Sequence, residues 1–338
     1  MLGALGNLFR VEDIRRRIYV TIGLLFVFRI GVQIPLPGVD PEAMQEYAKR
    51  TVDQTLSSII GVMNALSGGN LRMPVLFSLG ILPYISASII LSLLQKVIPS
   101  LEALAKEGAA GQRKINQYAR LLTVPLAFIQ GLITALTTYK SFGPTPGEAN
   151  PMIPDWGFVF CLQAAVGITA GTIFLMWIGE LITEYGIGNG SSIIITVGIV
   201  SDVPLAFWRI GEKAIEDRTY ILSGILLALV YLVIIIGIVY LHRGQRRVPM
   251  HQQRIQRGKQ MMGGGRHYLP IRLNMANVMP IIFASSLLAV PVTVMNYISP
   301  ETRTNWLVPG SWLHVTLYVA LIFFFSYFWT SMMFQPTE

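Results

Sequence analysis

Glu180 and Glu184 fall one helical turn apart, just ahead of the run Gly186-Ile-Gly-Asn-Gly190. Side chains at i and i+4 lie on one helix face, and paired carboxylates there could relay protons. A glycine run could cradle a phosphate. Context argues against both. The run joins two apolar stretches with no strand ahead of it, which a nucleotide-binding turn requires, so it reads as a tight connection. The glutamates sit at the end of an apolar stretch, where an interfacial structural role is expected. The four histidines (His242, His251, His267, His314) have no metal-ligand spacing, and the single cysteine, Cys161, excludes an internal disulfide. The apolar stretches hold no nucleophile–base pair, and the sequence no Walker-type loop. Neither an enzyme nor a bound metal or cofactor is expected.

Another segment mixes apolar and polar groups in a more telling way. Residues 80–90 read GILPYISASII, with Ile81, Ile85 and Ile89 four apart and therefore on one helix face. The segment lies within the apolar run from Val75 to Leu94 but carries a proline, a tyrosine and two serines. Ser86 and Ser88 suit close helix packing. The isoleucines read as lipid-facing or core residues, or as part of an apolar ring that resists water and ions.

The elements that must position these residues follow from composition. The chain has 338 residues, 53% hydrophobic and 13% charged, against about 25% charged in an ordinary soluble domain. A bilayer core about 30 Å thick takes about 20 apolar residues per helix. Eight stretches approach that length, near 18–36, 73–97, 118–138, 156–178, 191–208, 219–241, 273–298 and 313–334. The expectation is an all-α polytopic membrane protein. The segment 56–70, LSSIIGVMNALSGGN, is apolar but too short to cross. It reads as a half-helix dipping into the membrane, which survives only inside protein or beside a water-filled cavity.

Lys and Arg set the orientation. With the N-terminus in the cytosol, the cytosolic segments hold 17 of them and the outer segments 8, with Arg29 inside the first span. Eight spans then leave both termini cytosolic. The segments LPYISASII (82–90) and MPIIFASSL (279–287) align Pro83 with Pro280, Ile85 with Ile282, Ala87 with Ala284 and Ser88 with Ser285. One lies on an inward-running span and the other on an outward-running span. This suggests an inverted repeat of five spans, with the second repeat incomplete. Chance likeness between two apolar helices is the alternative.

GILPYISASII, SGGNL, KEGAAGQRKINQYAR, GTIFLMWIGELITEYGIGNGSSIII, RGQRRV and NMANVMPIIFASS together resemble the bacterial SecY family of protein translocons, from about Arg15 to the end of the sequence. The resemblance implies an hourglass pore between two five-span halves. Unfolded polypeptide passes outward through it, and apolar helices leave sideways into lipid. It implies a cytosolic segment 1–17, an N-terminal half 18–210 and an incomplete C-terminal half 211–338, the last two of ten spans lying beyond the sequence. It places the pore ring at Ile81, Ile85, Ser191, Ile195 and Ile282. Ser191 is a departure, since the family usually has an aliphatic residue there. The half-helix 56–70 corresponds to the plug, with Leu56, Ile59, Ile60, Met63, Asn64, Ser67, Gly68 and Gly69 as its candidate residues. Ser86, Ser92 and Asn274 fall on the lateral gate, Ser92 where the family often has glutamine. The basic loop 242–272 implies docking of the ribosome or the SecA motor through Arg246, Arg247, Arg254, Arg257 and Lys259. Near its tip, Lys259 and Gln260 stand where the family commonly has arginines.

The implied partners are SecE, SecG, SecA, the ribosome, preprotein substrates and membrane lipid, and the implied location is the bacterial cytoplasmic membrane. Arg29, as an ionisable residue within a span, is a functional candidate by default. A structural role, bonded to loop carbonyls near the pore exit, is the favoured expectation. The competing function is a small-solute secondary transporter on the same inverted-repeat plan. Such a transporter places ionisable groups at the midplane, and these spans hold almost none beyond Arg29.

Overall fold

The computed structural model describes residues 11–44, 73–137, 139, 143, 152–216, 218–251, 255–257, 260–262, 266–276, 278–285, 287–288 and 311–333. The protein is a polytopic helical membrane protein. Its helices are α1 (Glu12–Gly31), α2 (Leu82–Val97), α3 (Pro99–Lys106), α4 (Ala109–Thr137), α5 (Phe158–Tyr185), α6 (Gly190–Glu216), α7 (Arg218–Arg243) and α8 (Trp312–Met333). A further helix covers 279–285 and 287–288. Each of the eight expected spans coincides with helix among the described residues. Four helical stretches, Ala109–Leu136, Phe158–Tyr185, Gly224–Arg243 and Trp312–Ser331, are long and apolar enough to cross a bilayer unaided. The α2–α3 pair, broken at Ile98, makes a fifth if it counts as one span.

The second span starts later than its hydropathy suggests. Residues 73–81 are apolar but not helical. Pro74 lacks an N–H and disfavours helix at the residue before it. Val75 forms a bridge with Pro35, and Gly80 turns the chain at φ +57°. Helix begins only at Leu82, with Pro83 in its first turn, where the missing N–H costs nothing. At the other end, Ile98 precedes Pro99 and is extended at φ −98°, ψ 114°, so the helix breaks there and α3 starts afresh.

Two compact units divide the chain: Met1–Val203 with Ser285–Tyr318, and Pro204–Ala284 with Val319–Glu338. In the first, α4 and α5 pack along their length and α2 packs on α4. The apolar core of this unit gathers Leu36, Leu79, Ala135, Tyr139, Ile153, Phe160 and Ile168. Tyr139 is fully buried and its hydroxyl donates to the Met73 carbonyl at 3.0 Å. Burial holds the phenol pKa above its ordinary value. The loop 73–76 is stitched to 34–36 by Leu36 N–H to Pro74 O and Leu76 N–H to Ile34 O, both 2.9 Å. Phe77 stacks between Phe28 and Phe174, with ring centroids 6.4 and 6.0 Å away.

In the second unit the basic loop forms a β-ribbon, which its composition did not announce. Strand β1 (Gln245–His251) pairs antiparallel with β4 (Arg266–Arg272), and β2 (Ile255–Arg257) with β3 (Gln260–Met262). Opposed residues share a face and faces alternate along a strand. Arg246, Val248, Leu269 and Ile271 therefore lie on one face, and Gln245, Arg247, Pro249, Tyr268, Pro270 and Arg272 on the other.

Candidate functional site

The expected ring residues of the first unit come from two helix starts. Ile81 caps α2 and is fully buried, and Ile85, one turn on, is 7% exposed. Ser191 and Ile195 occupy the first turns of α6 and are half-buried, while Ile194 between them is fully buried. Both starts lie against Gly179 of α5. A Cβ built there would stand 3.4 Å from Ile81 Cδ1, 3.5 Å from Ile194 Cδ1 and 3.6 Å from the Ser191 nitrogen. A Cβ on Gly190 would fall 1.8 Å from the Gly179 carbonyl oxygen, so only glycine lets α6 begin this close to α5.

The α5–α6 connection is held by hydrogen bonds from three directions. Thr183 Oγ1 donates to Gly179 O and accepts from the Gly190 N–H, at 2.8 and 2.9 Å. Asn189 Oδ1 accepts from the Ser192 N–H at 3.1 Å, which satisfies an orphan donor of the first helical turn. From α1, Arg17 Nη1 donates to Gly186 O at 3.1 Å, and Thr21 Oγ1 accepts from the Ile187 N–H at 3.2 Å. The glycine run is thus a tight connection between two helices, as the sequence suggested. Glu180 is paired with Arg120 of α4 at 2.6 Å, and Glu184 is exposed. The two carboxylates therefore do not form a relay with each other; Glu180 ties α5 to α4.

In the second unit, Ile282 is 6% exposed on the helix that starts at 279. Its correspondence with Ile85 extends to structure. Pro83 and Pro280 each take the second position of their helix. Ile85 and Ile282 are 7% and 6% exposed, and Ala87 and Ala284 are both fully buried. Two segments matched by sequence thus share both helix start and burial pattern, which chance likeness does not require.

Among the gate positions, Ser86 is half-buried on α2. Ser92 is also half-buried, and its hydroxyl donates to Ser88 O at 2.8 Å. Asn274 lies exposed in the link after β4, ahead of the helix. Arg246 and Arg247 are exposed on β1, and Arg257 ends β2. Arg254, Lys259 and every plug candidate (Leu56, Ile59, Ile60, Met63, Asn64, Ser67, Gly68 and Gly69) lie outside the described residues. Arg29 is exposed and makes no hydrogen bond or ion pair among the described residues, and the loop 45–72 lies outside them. No group of three or more His, Cys, Asp or Glu able to hold a metal occurs among the described residues.

Residues 75–338 match the family described as SecY. The protein translocase subunit SecY of Streptomyces scabiei is 40% identical, with 100% of this chain and 78% of that protein aligned. That of Escherichia coli strain K12 is also 40% identical, over 96% of this chain and 73% of its own length. Among solved structures, one described as the structure of a protein conducting channel superposes with a TM-score of 0.58 at 17% identity, covering 94% of this chain and 71% of that one. Sec61 in a canine ribosome–channel complex gives 0.56 at 16% identity, with the same coverage.

Proposed function

The chain belongs to the SecY family, and from that premise we propose that Ile81, Ile85, Ser191, Ile195 and Ile282 form the constriction of its channel. The protein is the pore subunit of a translocon, passing unfolded polypeptide across the membrane and releasing apolar helices into it. The constriction is passive. A polypeptide in transit presents every kind of side chain, and fixed charges would hold some of them tightly. Aliphatic side chains bind none strongly and close on whatever passes. Release into lipid is a partition, favoured by roughly 0.3–0.6 kcal/mol for each central Leu or Ile.

The observation that carries this reading is the shared helix start and burial of Ile85 and Ile282 in matched segments. Neither segment brings an Asp, Glu, His, Lys or Arg side chain, which disfavours a coupled small-solute transporter. The remaining parts follow the family. The segment 56–70 plugs the pore at rest, and Ser86, Ser92 and Asn274 border the lateral exit. The halves divide near residue 210. SecE and SecG complete the channel, while SecA or a ribosome docks on the basic ribbon and supplies the push. The membrane is the bacterial cytoplasmic one, with the N-terminus inside, as the Lys and Arg asymmetry favours.

Photo-crosslinking tests the reading. A stalled secretory chain in membranes carrying the complex is expected to crosslink to probes at position 85 and at position 282. Labelling at neither position, together with uptake of a small solute by the same vesicles, would establish the transporter instead.

A further inference from the structure

We propose that the C-terminal end of α1 holds the phosphate of a membrane phospholipid at Arg29. Arg29 stands in the last turn of α1 and lines an open-sided cavity of about 390 Å3 with Phe26, Ile30, Gln33, Ile34 and Pro35. Two other arginines of this unit have acceptors: Arg17 reaches Gly186 O, and Arg120 reaches Glu180. Arg29 has none among the described residues, yet it lies twelve residues past Arg17. At 1.5 Å per residue that is about 18 Å along the helix, inside a hydrocarbon layer about 30 Å thick. A guanidinium at that depth is rarely left unpaired. It snorkels toward the nearer interface and takes an anion there.

The surroundings specify the anion. Phe26, Ile30 and Ile34 are 67%, 50% and 44% exposed, so the groove around the cation is apolar and suits acyl chains. The exposed ridge of α1, Tyr19, Ile22, Phe26 and Ile30, is bulky, whereas helix–helix contacts in membranes favour small residues. That favours lipid over a carboxylate on a partner helix. The Gln33 amide, four residues on, adds a neutral hydrogen-bonding group beside the fork. A helix C-terminus offers no free N–H groups, so the anion's charge falls on Arg29 alone. A planar guanidinium can grip two phosphate oxygens at once, which a lysine cannot.

The inference rests on α1 crossing the membrane and not on the pore ring, so it stands or falls apart from the crosslinks at 85 and 282. The experiment is native mass spectrometry of the detergent-purified complex, titrated with phosphatidylglycerol. Wild type is expected to retain one lipid that Arg29→Gln loses, with affinity about tenfold weaker, the scale of one charge-assisted contact. Arg29→Lys should recover part of it. Inorganic phosphate alone should leave the wild-type spectrum unchanged; a bound free phosphate would mark a simple anion site and overturn the lipid assignment. A photo-crosslinker at Gln33 in otherwise wild-type protein needs no Arg29 variant to fold. It is expected to label phospholipid, and a polypeptide adduct, or equal lipid retention by Arg29→Gln, overturns the proposal.

Discussion

Polar side chains brace one element of this protein against another, as Arg17 and Thr21 do at the α5–α6 connection and Arg120 does at Glu180. Tyr139 is the clearest brace, since its hydroxyl fastens Met73 at the exit from residues 45–72. Tyr139→Phe is expected to cost about 1 kcal/mol, the net value of one hydrogen bond, read as a lower Tm in detergent. Its pH behaviour has a definite sign. Burial raises the folded pKa above the unfolded value near 10. The folded state therefore keeps its proton longer, and stability falls as pH rises past about 10. Wild type should lose Tm over that range more steeply than Tyr139→Phe; parallel curves would show that the phenol plays no part. Sequence made some of these roles legible. Glu180 reads as structural from its place at a span end, and it is, through Arg120. For Arg29 a sequence gives the depth in the membrane but not which way the helix turns it.

Among the elements, hydrophobic length made the places of the apolar helices legible, because crossing hydrocarbon demands a run that little else requires, but the short helix α3 (Pro99–Lys106) was not foreseen. The ends of the apolar helices were less legible. Residues 73–81 are as apolar as a span but follow the bridge to Pro35 and the turn at Gly80. The ribbon at 245–272 was hidden because its positive charges masked the alternation of Arg247 with Arg246 and Val248. Helix packing depends on glycines whose value lies in neighbours distant in sequence. A Cβ on Gly171 would meet the Leu76 carbonyl oxygen at 2.1 Å, whereas one on Gly179 meets only ordinary contacts from 3.4 Å. Gly171→Ala should therefore destabilise by roughly 1–3 kcal/mol and lower the yield of folded protein, with Gly179→Ala close to wild type. Equal thermal stability of the two would refute the packing at Leu76. The ribbon yields another test. Arg247 shares its face with Arg272, but Arg246 lies among Val248, Leu269 and Ile271. Arg247→Gln should weaken ribosome binding and lower its salt slope by about 1, and Arg246→Gln should do so less. The check is cosedimentation over a salt series.

For the whole molecule, the inverted repeat turns a ring of residues into a quantitative constraint. If Ile85 and Ile282 occupy equivalent places in two halves of one pore, a polar substitution at either should weaken the seal to a similar degree. An aliphatic constriction excludes ions because a narrow apolar neck does not hold water. Ile85→Asn and Ile282→Asn should each raise the resting ion flux of vesicles carrying the assembled translocon, and by comparable amounts. Ser191→Leu should lower that flux, since it removes the one hydroxyl among the five ring residues. The three variants separate ring from packing. Ile81 and Ile194 both rest against Gly179, so a polar group at either should cost folded protein as well as tightness. Ile85 and Ile282 are nearly as buried, so their Asn variants should also lose some folded protein, and the flux is compared per folded complex. If Ile85→Asn leaks and Ile282→Asn only unfolds, the sequence match between the two helix starts reflects common packing and not a shared pore. If neither leaks while the protein still translocates, the seal is made elsewhere in the channel.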